Sequence, residues 1–217
     1  INKKIQIGKI TPANEILPGQ AIQKESMDTT HFSIADKFGN LVGNTYTLNS
    51  TYGSGIIIDG TGILMNNEMD DFVSAPGIPN QFGLLGGEAN KIEPYKRPLS
   101  SMTPTLIFKN NQPILATGSP GGSYIITAVL QFLLNTLNFK MEISDATVVP
   151  RLHHQWKPDV LMLEHGFDVN HAETIKSLGQ PIYFTDPRTS LESIELKNNF
   201  FYGFGDTRRP DSKAKGL

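Results

Sequence analysis

Alternation of polar and apolar residues begins abruptly at residue 31. The runs HFSIAD at 31–36 and LVGNTYTL at 41–48 flank KFGN, a short glycine-containing connection that is typical of a β-hairpin. Similar strand-like runs flank DGTG at 59–62, KNNQ at 109–112 and KNN at 197–199. The pattern therefore predicts several antiparallel strand pairs.

Apolar residues at helical spacing follow Ser123, which is a plausible N-cap for a helix over 124–139. A second, shorter helix is predicted to end at Pro150, and a third, HAETIKSLG at 171–179, ends in a glycine. Residues 74–98 have several prolines and glycines and no period, which predicts a long loop. Because the strands come in hairpins, the pattern favours an α+β fold with an antiparallel sheet covered by helices.

Composition narrows the class of protein. The chain has 217 residues, of which 38% are hydrophobic, and a net charge of −2, so no basic surface indicates nucleic-acid binding. No apolar run approaches the ~20 residues that span a bilayer. The absence of cysteine excludes disulfides and thiolate nucleophiles in this chain. The first residue is Ile1, and residues 1–28 have no sustained period, so we expect a piece of a longer product with a connecting segment at its start.

The segment TGSPGGS at 117–123 places three glycines between a predicted strand and a predicted helix. Its backbone N–H groups, together with the positive end of the helix, could bind an anion or a developing oxyanion. A tight strand-to-helix turn explains the same residues equally well. A phosphate-binding P-loop is excluded because the lysine of that motif is missing.

Three other motifs each allow two interpretations. Glu68, Asp70 and Asp71 in NNEMDDF could bind an ammonium group or a hard cation, or form a solvated acidic turn. The hydroxyls of RPLSSM, at 97–102, could bind a carboxylate or belong to a hydrogen-bonded turn. The neighbouring histidines of RLHHQW, at 151–156, cannot both face one site, which favours packing near the tryptophan over metal ligation. No GxSxG motif supports a serine hydrolase.

Taken in order, six motifs resemble the small subunit of the γ-glutamyltransferases (γ-glutamyltranspeptidases), which are N-terminal-nucleophile hydrolases. These motifs are TTHFSIAD, TLNSTYGSGI, NNEMDDF, RPLSSMTPT, GSPGGS and RLHHQW. The resemblance implies a four-layer αββα sandwich that is completed by a large subunit. It also implies that the precursor cuts itself between Asp28 and Thr29, so that residues 1–28 are the tail of the large subunit and residues 29–217 the catalytic small subunit.

The resemblance makes Thr29 the nucleophile, with Thr47 as the residue that orients it. The chemistry is physically reasonable, because an α-amino group with a pKa near 7.7–8.0 can take the hydroxyl proton close to neutral pH. That amine is freed only by the cut. We therefore expect self-cleavage and catalysis to use the same hydroxyl.

The remaining roles implied by the resemblance concern the substrate. The α-amino group of a γ-glutamyl donor would be held by Asn49, Glu68 and Asp71, its α-carboxylate by Ser100 and Ser101, and the oxyanion by the N–H groups of Gly121 and Gly122. Two positions depart from or vary within the family pattern. Glu68 stands where many bacterial relatives have glutamine, and Phe82 stands in the lid where tyrosine is common.

The activity implied is γ-glutamyl transfer and hydrolysis on glutathione and related compounds, with water, an amino acid or a peptide as acceptor. No metal or organic cofactor is expected, and the family suggests a periplasmic or secreted enzyme. Two alternatives remain at this point: an amidase like the cephalosporin acylases, which shares fold and nucleophile, and an unprocessed, inactive homologue that acts as a binding module.

Overall fold

The computed structural model describes residues 8–15 and 29–216. Its strands are β1 Thr30–Ala35, β2 Leu41–Tyr46, β3 Thr105–Lys109, β4 Gln112–Thr117, β5 Leu152–His153, β6 Leu161–Glu164, β7 Ile182–Thr185, β8 Glu192–Lys197 and β9 Phe200–Gly205. Its α-helices are α1 Tyr124–Leu133, which continues as a π-turn over Leu134–Asn138, α2 Ile143–Val148 and α3 Val169–Ser177. Short 3₁₀ turns lie at Ala13–Glu15, Glu68–Asp71 and Glu88–Asn90.

The predicted first hairpin is confirmed: β1 and β2 pair antiparallel. Asp36 fixes the connection, because one carboxylate oxygen accepts the backbone N–H groups of Phe38 and Asn40 at 2.9 Å each. Gly39 has a φ of 86°, which glycine adopts without steric cost. A local side-chain hydrogen-bond pattern therefore sets the register of the strand pair that begins next to Thr29.

A four-stranded antiparallel sheet has the order β3-β4-β8-β9. Its two predicted hairpins turn at Asn110–Asn111 and Asn198–Asn199, and all four asparagines have φ between 51° and 63°. Two successive residues with positive φ are the requirement of the type I′ turn, which matches the twist of paired strands. Helices α1 and α2 pack against this sheet around Leu115, Ile125, Val129, Phe132, Ile143, Ala146 and Leu191.

Helices α1, α2 and α3 agree with the sequence prediction, with one difference at the start of α1. Ser123 occupies the N-cap position but its side chain makes no capping bond. Its hydroxyl instead donates to Gln155 Oε1 at 2.8 Å. Tertiary contact therefore takes the side chain away from the helix end.

Two expectations about strands were wrong in part. The run around DGTG forms a single bridge between Ile57 and Leu64 rather than two strands, because its apolar side chains are exposed and no buried face stabilises it. A three-stranded sheet, β5-β6-β7, was not predicted, and β6 and β7 are parallel. Helix α3 is the crossover between them, which is the connection that parallel strands require.

The loop predicted over 74–98 is confirmed, with the 3₁₀ turn Glu88–Asn90 as its regular element. The predicted boundary near residue 28 falls outside the described residues. Among residues 8–15, Ala13 is buried. Its N–H donates to Asp159 Oδ2 at 2.7 Å, and its carbonyl accepts from Trp156 Nε1 at 2.9 Å. Within the part that the structure describes, no helix is long and apolar enough to cross a membrane.

Candidate active site

Thr29 and Thr47 lie opposite each other at the end of the β1–β2 hairpin. The register pairs Thr30 with Tyr46, so the next cross-strand pair is Thr29 with Thr47. The Thr29 hydroxyl donates to Thr47 Oγ1 at 3.2 Å, and the same Thr47 oxygen accepts the N–H of Asn49 at 2.9 Å. Thr29 is buried. The hairpin register thus holds the candidate nucleophile against a second hydroxyl.

The carbonyl oxygen of Thr29 accepts a hydrogen bond from Arg209 Nη1 at 3.0 Å. Sequence reasoning missed this contact, since 180 positions separate the two residues and no spacing rule relates them. Arg209 belongs to the segment that follows β9. The last part of the chain therefore helps to fix the backbone at Thr29.

Glu68 and Asp71 place two carboxyl groups close together on the 3₁₀ turn. Burial, together with the negative charge of Asp71, raises the pKa of Glu68 to about 7. Burial also raises the pKa of Asp71. Glu68 Oε1 is buried, and it has no hydrogen-bond partner among the residues that the structure describes. The two carboxyl groups can therefore hold a proton near neutral pH. Glu68 Oε1 is available to accept a hydrogen bond from a cationic ligand.

Asn49 stands beside this pair in a left-handed conformation, with a φ of 76°. Its amide donates to the carbonyl of Asn67 at 3.3 Å. Asn67 also fixes Ser50, whose N–H it accepts at 3.0 Å. These bonds connect the end of β2 to the turn that carries the acidic residues.

Ser100 and Ser101 lie on the irregular segment before β3. Ser100 Oγ accepts the N–H of Met102 at 3.2 Å, the turn-type bond that the sequence allowed. Met102 packs against the core beneath α1. The two hydroxyls are therefore presented from a segment that is anchored at its next residue.

Gly121 and Gly122 connect the end of β4 to α1, with φ values of 130° and 55°. Their carbonyls accept the first N–H groups of the helix region, from Tyr124 at 3.1 Å and Ile125 at 3.2 Å. A Cβ on Gly121 would lie 2.5 Å from the carbonyl oxygen of Arg188. The turn thus requires glycine for its conformation and its close packing.

Phe82 is buried, and its loop is tied to the acidic turn. Asn80 Oδ1 accepts the N–H groups of Phe82 and Leu84 at 3.0 Å each, and Asp70 accepts the N–H of Gln81 at 3.0 Å. These bonds hold the aromatic ring in place beside the candidate nucleophile.

Most of the sequence-predicted residues meet in one open pocket. It is lined by Thr29, Thr47, Asn49, Asp71, Phe82, Ser100, Ser101 and Gly122. Glu68 and Gly121 are not in its lining and adjoin it through Asp71 and Gly122. Leu84, Met102, Ser123 and Ile125 also line the pocket, and sequence reasoning did not single them out for this site.

The neighbouring histidines face different partners. His153 stacks on Tyr124, with 3.9 Å between ring centroids, and His154 contacts Asp159 at 3.3 Å. The ring of His153 therefore packs on a tyrosine, while His154 Nδ1 accepts the backbone N–H of Trp156 at 3.0 Å. Among residues 8–15 and 29–216, no group of three histidine, cysteine, aspartate or glutamate side chains is arranged to hold a metal ion.

Comparisons with known proteins identify the family of this chain. The family model described as gamma-glutamyltranspeptidase matches residues 1–216. The chain belongs to the gamma-glutamyltranspeptidase family. It is similar to the glutathione hydrolase proenzyme of Escherichia coli (strain K12), with 46% identity over 217 residues, all of this chain and 37% of that protein. The chain thus spans little more than a third of this relative's length.

Solved structures show the fold. The gamma-glutamyltranspeptidase T380A mutant from Helicobacter pylori matches with a TM-score of 0.80 and 48% identity, covering 83% of this chain and 100% of the other. The cephalosporin acylase from Bacillus halodurans matches with a TM-score of 0.68 and 23% identity, covering 82% of this chain and 32% of the other, which is a likeness of fold alone. The predicted α+β class and N-terminal-nucleophile hydrolase fold are confirmed.

Proposed function

We propose that this chain carries the catalytic residues of a γ-glutamyltransferase that also hydrolyses its donors, glutathione among them. The observation that carries the proposal is the pocket that joins the Thr29–Thr47 hydroxyl pair to Asp71, Ser100, Ser101 and Gly122. Carboxylates suit an ammonium group, while hydroxyls and N–H groups suit anionic oxygen. A γ-glutamyl donor has an ammonium group and a carboxylate at one end and a reacting amide carbonyl at the other, so its binding site needs both kinds of group.

The proposed nucleophile is Thr29, freed by a cut after Asp28. In the uncut chain the Thr29 hydroxyl attacks the Asp28 carbonyl, and the nitrogen of Thr29 leaves with a proton as the ester forms. Water then hydrolyses this ester and leaves Thr29 with a free α-amine. The amine next serves as the base that takes the proton from the hydroxyl beside it.

In turnover, the Thr29 oxygen attacks the γ-carbonyl of the donor, and the amine passes the proton to the leaving nitrogen. The N–H groups of Gly121 and Gly122 stabilise the oxyanion; removing one such donor typically costs about 3 kcal/mol. The product is a γ-glutamyl ester on Thr29. Water, an amino acid or a peptide then attacks this ester and restores the hydroxyl.

In the proposed complex, the α-amino group of the donor is bound by Glu68, Asp71 and Asn49. Its α-carboxylate is bound by Ser100 and Ser101. Phe82 covers the donor from the lid loop. Its ring has no hydroxyl to bond across the pocket, in contrast to the tyrosine that the family resemblance leads one to expect. The pocket then closes by apolar contact in this chain.

The partner proposed is the large subunit of the same precursor, with residues 1–28 as its tail and 29–217 as the small subunit. The outer face of the β1–β2 hairpin supports this, because Phe32, Ile34, Val42 and Tyr46 are all exposed there. An apolar strand face of this kind marks a protein interface. Residence in the periplasm or outside the cell is proposed from the family resemblance alone.

The decisive experiment compares the full-length precursor with its Thr29→Ala variant by intact mass and N-terminal sequencing. We expect a new terminus at Thr29 and turnover of γ-glutamyl-p-nitroanilide in the wild type, and neither in Thr29→Ala. Lys37→Ala, at the exposed turn of the same hairpin, is the matched control and should be cut and active. A wild-type precursor that folds and stays uncut would favour the inactive binding module instead.

The second candidate is an amidase like the cephalosporin acylases, which the shared fold supports. The same cut protein separates the two activities. Glutaryl-cephalosporin has no α-amino group for Asp71 to bind, so we expect turnover of the γ-glutamyl substrate and not of this one. The reverse preference would establish the amidase.

A further inference from the structure

The face of the hairpin that carries Thr29 also carries His31, a buried histidine that the proposed chemistry does not use. Side chains alternate along a strand, and the register pairs His31 with Thr45. Thr29–Thr47 and His31–Thr45 are thus successive polar pairs on one face. The second pair is close, with 2.6 Å between His31 Nδ1 and Thr45 Oγ1.

The hydrogen bonds around His31 define its tautomer. The Ser33 hydroxyl donates to the carbonyl of Glu192 at 2.8 Å, so its oxygen accepts from His31 Nε2–H at 3.1 Å. Nδ1 is then the acceptor for the Thr45 hydroxyl. This assignment needs a neutral ring, and burial lowers the pKa of His31 to about 4. His31 is therefore a neutral residue with both nitrogens engaged.

The ring also lies directly against Gly118, the residue after β4. A Cβ on Gly118 would fall 2.3 Å from His31 Cε1 and 2.4 Å from Nδ1. The carbonyl of Gly118 accepts the N–H of Glu192 at 3.0 Å. Contacts thus run from His31 to Ser33, on to Glu192 and Gly118, and back to the ring. These contacts connect strand β1, which begins next to Thr29, to Gly118 at the start of the turn that contains Gly121 and Gly122.

The segment from Gly118 to Gly121 is held by hydrogen bonds and packing at successive residues. A movement of Gly118 should therefore be passed along the backbone to Gly121. Ser119 is fully buried; its oxygen accepts the N–H of Ser190 at 3.0 Å and its hydroxyl donates to the carbonyl of Pro120 at 2.6 Å. Gly121 then packs on the backbone of Arg188. A shift at Gly118 should therefore move the N–H groups at Gly121 and Gly122.

We propose that His31 is a positioning residue that sets the distance between the Thr29 hydroxyl and the N–H groups of Gly121 and Gly122. The inference rests on the proposed function. Its physical basis is that attack and oxyanion stabilisation must occur in one geometry, and a misplacement of about 1 Å can cost on the order of 10²-fold in rate. His31 does this without exchanging a proton with substrate.

The test uses the full-length protein and separates kcat from KM with γ-glutamyl-p-nitroanilide. His31→Phe keeps a planar ring beneath Gly118 and removes both hydrogen bonds. We expect its kcat to fall on the order of 10²-fold with KM unchanged, because the residues proposed to bind the donor are not touched. Thr45→Val, which removes one hydrogen bond, should lower kcat by about tenfold. Thr45→Ser should restore it, and Lys37→Ala is the control.

A second measurement does not depend on turnover. In the Thr29→Ala background, His31→Phe should speed amide hydrogen exchange over residues 118–122, and Lys37→Ala should not. An unchanged kcat in His31→Phe, equal losses from both Thr45 variants, or unchanged exchange over 118–122 would each overturn the proposal. A wild-type protein without γ-glutamyl turnover would contradict the proposed function, while the exchange rates would still decide the role of His31.

Discussion

Glu68 and Asp71 give the site a pH dependence that can be measured. The two carboxyl groups lie close together, and the pKa of Glu68 is raised to about 7 by burial and by the charge of Asp71. Below that pH the pair holds a proton and carries one negative charge; above it the pair carries two. A donor ammonium is therefore bound more strongly on the alkaline side. We expect KM for a γ-glutamyl donor to rise as the pH falls through about 7.

The Glu68→Gln variant tests this directly, since it keeps the size of the side chain and removes the shared proton. Its KM should change less between about pH 6 and pH 8 than that of the wild type. The comparison must use KM, because the free amine of Thr29 is expected to govern kcat over the same range. A wild-type KM that is constant across pH 7 would contradict the shared proton.

For individual residues, the sequence alone did not decide between a functional role and an ordinary structural one. The acidic turn, the paired serines and the glycines each had an ordinary explanation, and only their shared order in a family pattern selected these residues. Arg209 and the environment of His31 could not be predicted, since Arg209 meets Thr29 and Ser33 meets Glu192 across more than 150 positions. Such contacts exist only once the sheets are assembled.

The turn between β4 and α1 is the element on which the proposed oxyanion site depends, and its Gly121 has no space for a side chain. In Gly121→Ala, a methyl group would meet Arg188 O at 2.5 Å and Thr189 Cγ2 at 2.6 Å, at a φ of 130°. We expect the crowding to cost about 1–3 kcal/mol beyond the backbone strain. Chemical unfolding of the uncut Thr29→Ala protein measures this free energy.

Gly39→Ala is the matched control for that variant. It also places an alanine at positive φ, 86°, but within the described part of the chain no atom beyond its two chain neighbours lies within 4 Å of the new methyl group. The difference between the two variants therefore contains the packing cost, together with the extra strain of an alanine at 130° rather than 86°. Equal destabilisation would show that the turn tolerates the methyl group, and that its glycine is needed only for conformation.

Apart from the run around DGTG, elements with strong local signals were predicted correctly, and elements stabilised by distant contacts were not. The Asn-Asn turns and the period of α1 are encoded within a few residues, so the hairpins and helices could be identified. Strands β5, β6 and β7 contain two to four residues each. Their stability comes from pairing across the α3 crossover and from packing around Leu163, which no short window of sequence contains.

For the molecule as a whole, a buried ionic cluster joins the two larger sheets. Asp206 follows β9, Glu164 ends β6, and Arg151 and Arg208 lie between them. Asp206 contacts Arg151 Nη2 at 2.6 Å and Arg208 Nη1 at 3.1 Å, and Arg208 reaches Glu164 at 2.7 Å. Burial alone would raise the pKa of Asp206, but the charge and hydrogen bonds of Arg151 lower it.

Removal of one charged side chain from this cluster should lower the free energy of unfolding, because the remaining charged side chains stay buried. Asp206 is fully buried and Arg151 is 5% exposed, so Asp206→Ala leaves two guanidinium groups with one carboxylate, Glu164, inside the protein. We expect a loss of about 3–5 kcal/mol in the free energy of unfolding. The exposed pair Lys197–Glu142, at 2.7 Å, provides the control: Lys197→Ala should cost at most about 1 kcal/mol. Urea unfolding of both variants in the Thr29→Ala protein makes the comparison.

Similar small losses would mean that water reaches the cluster once Asp206 is gone. The joint between the sheets would then depend on apolar packing rather than on charge.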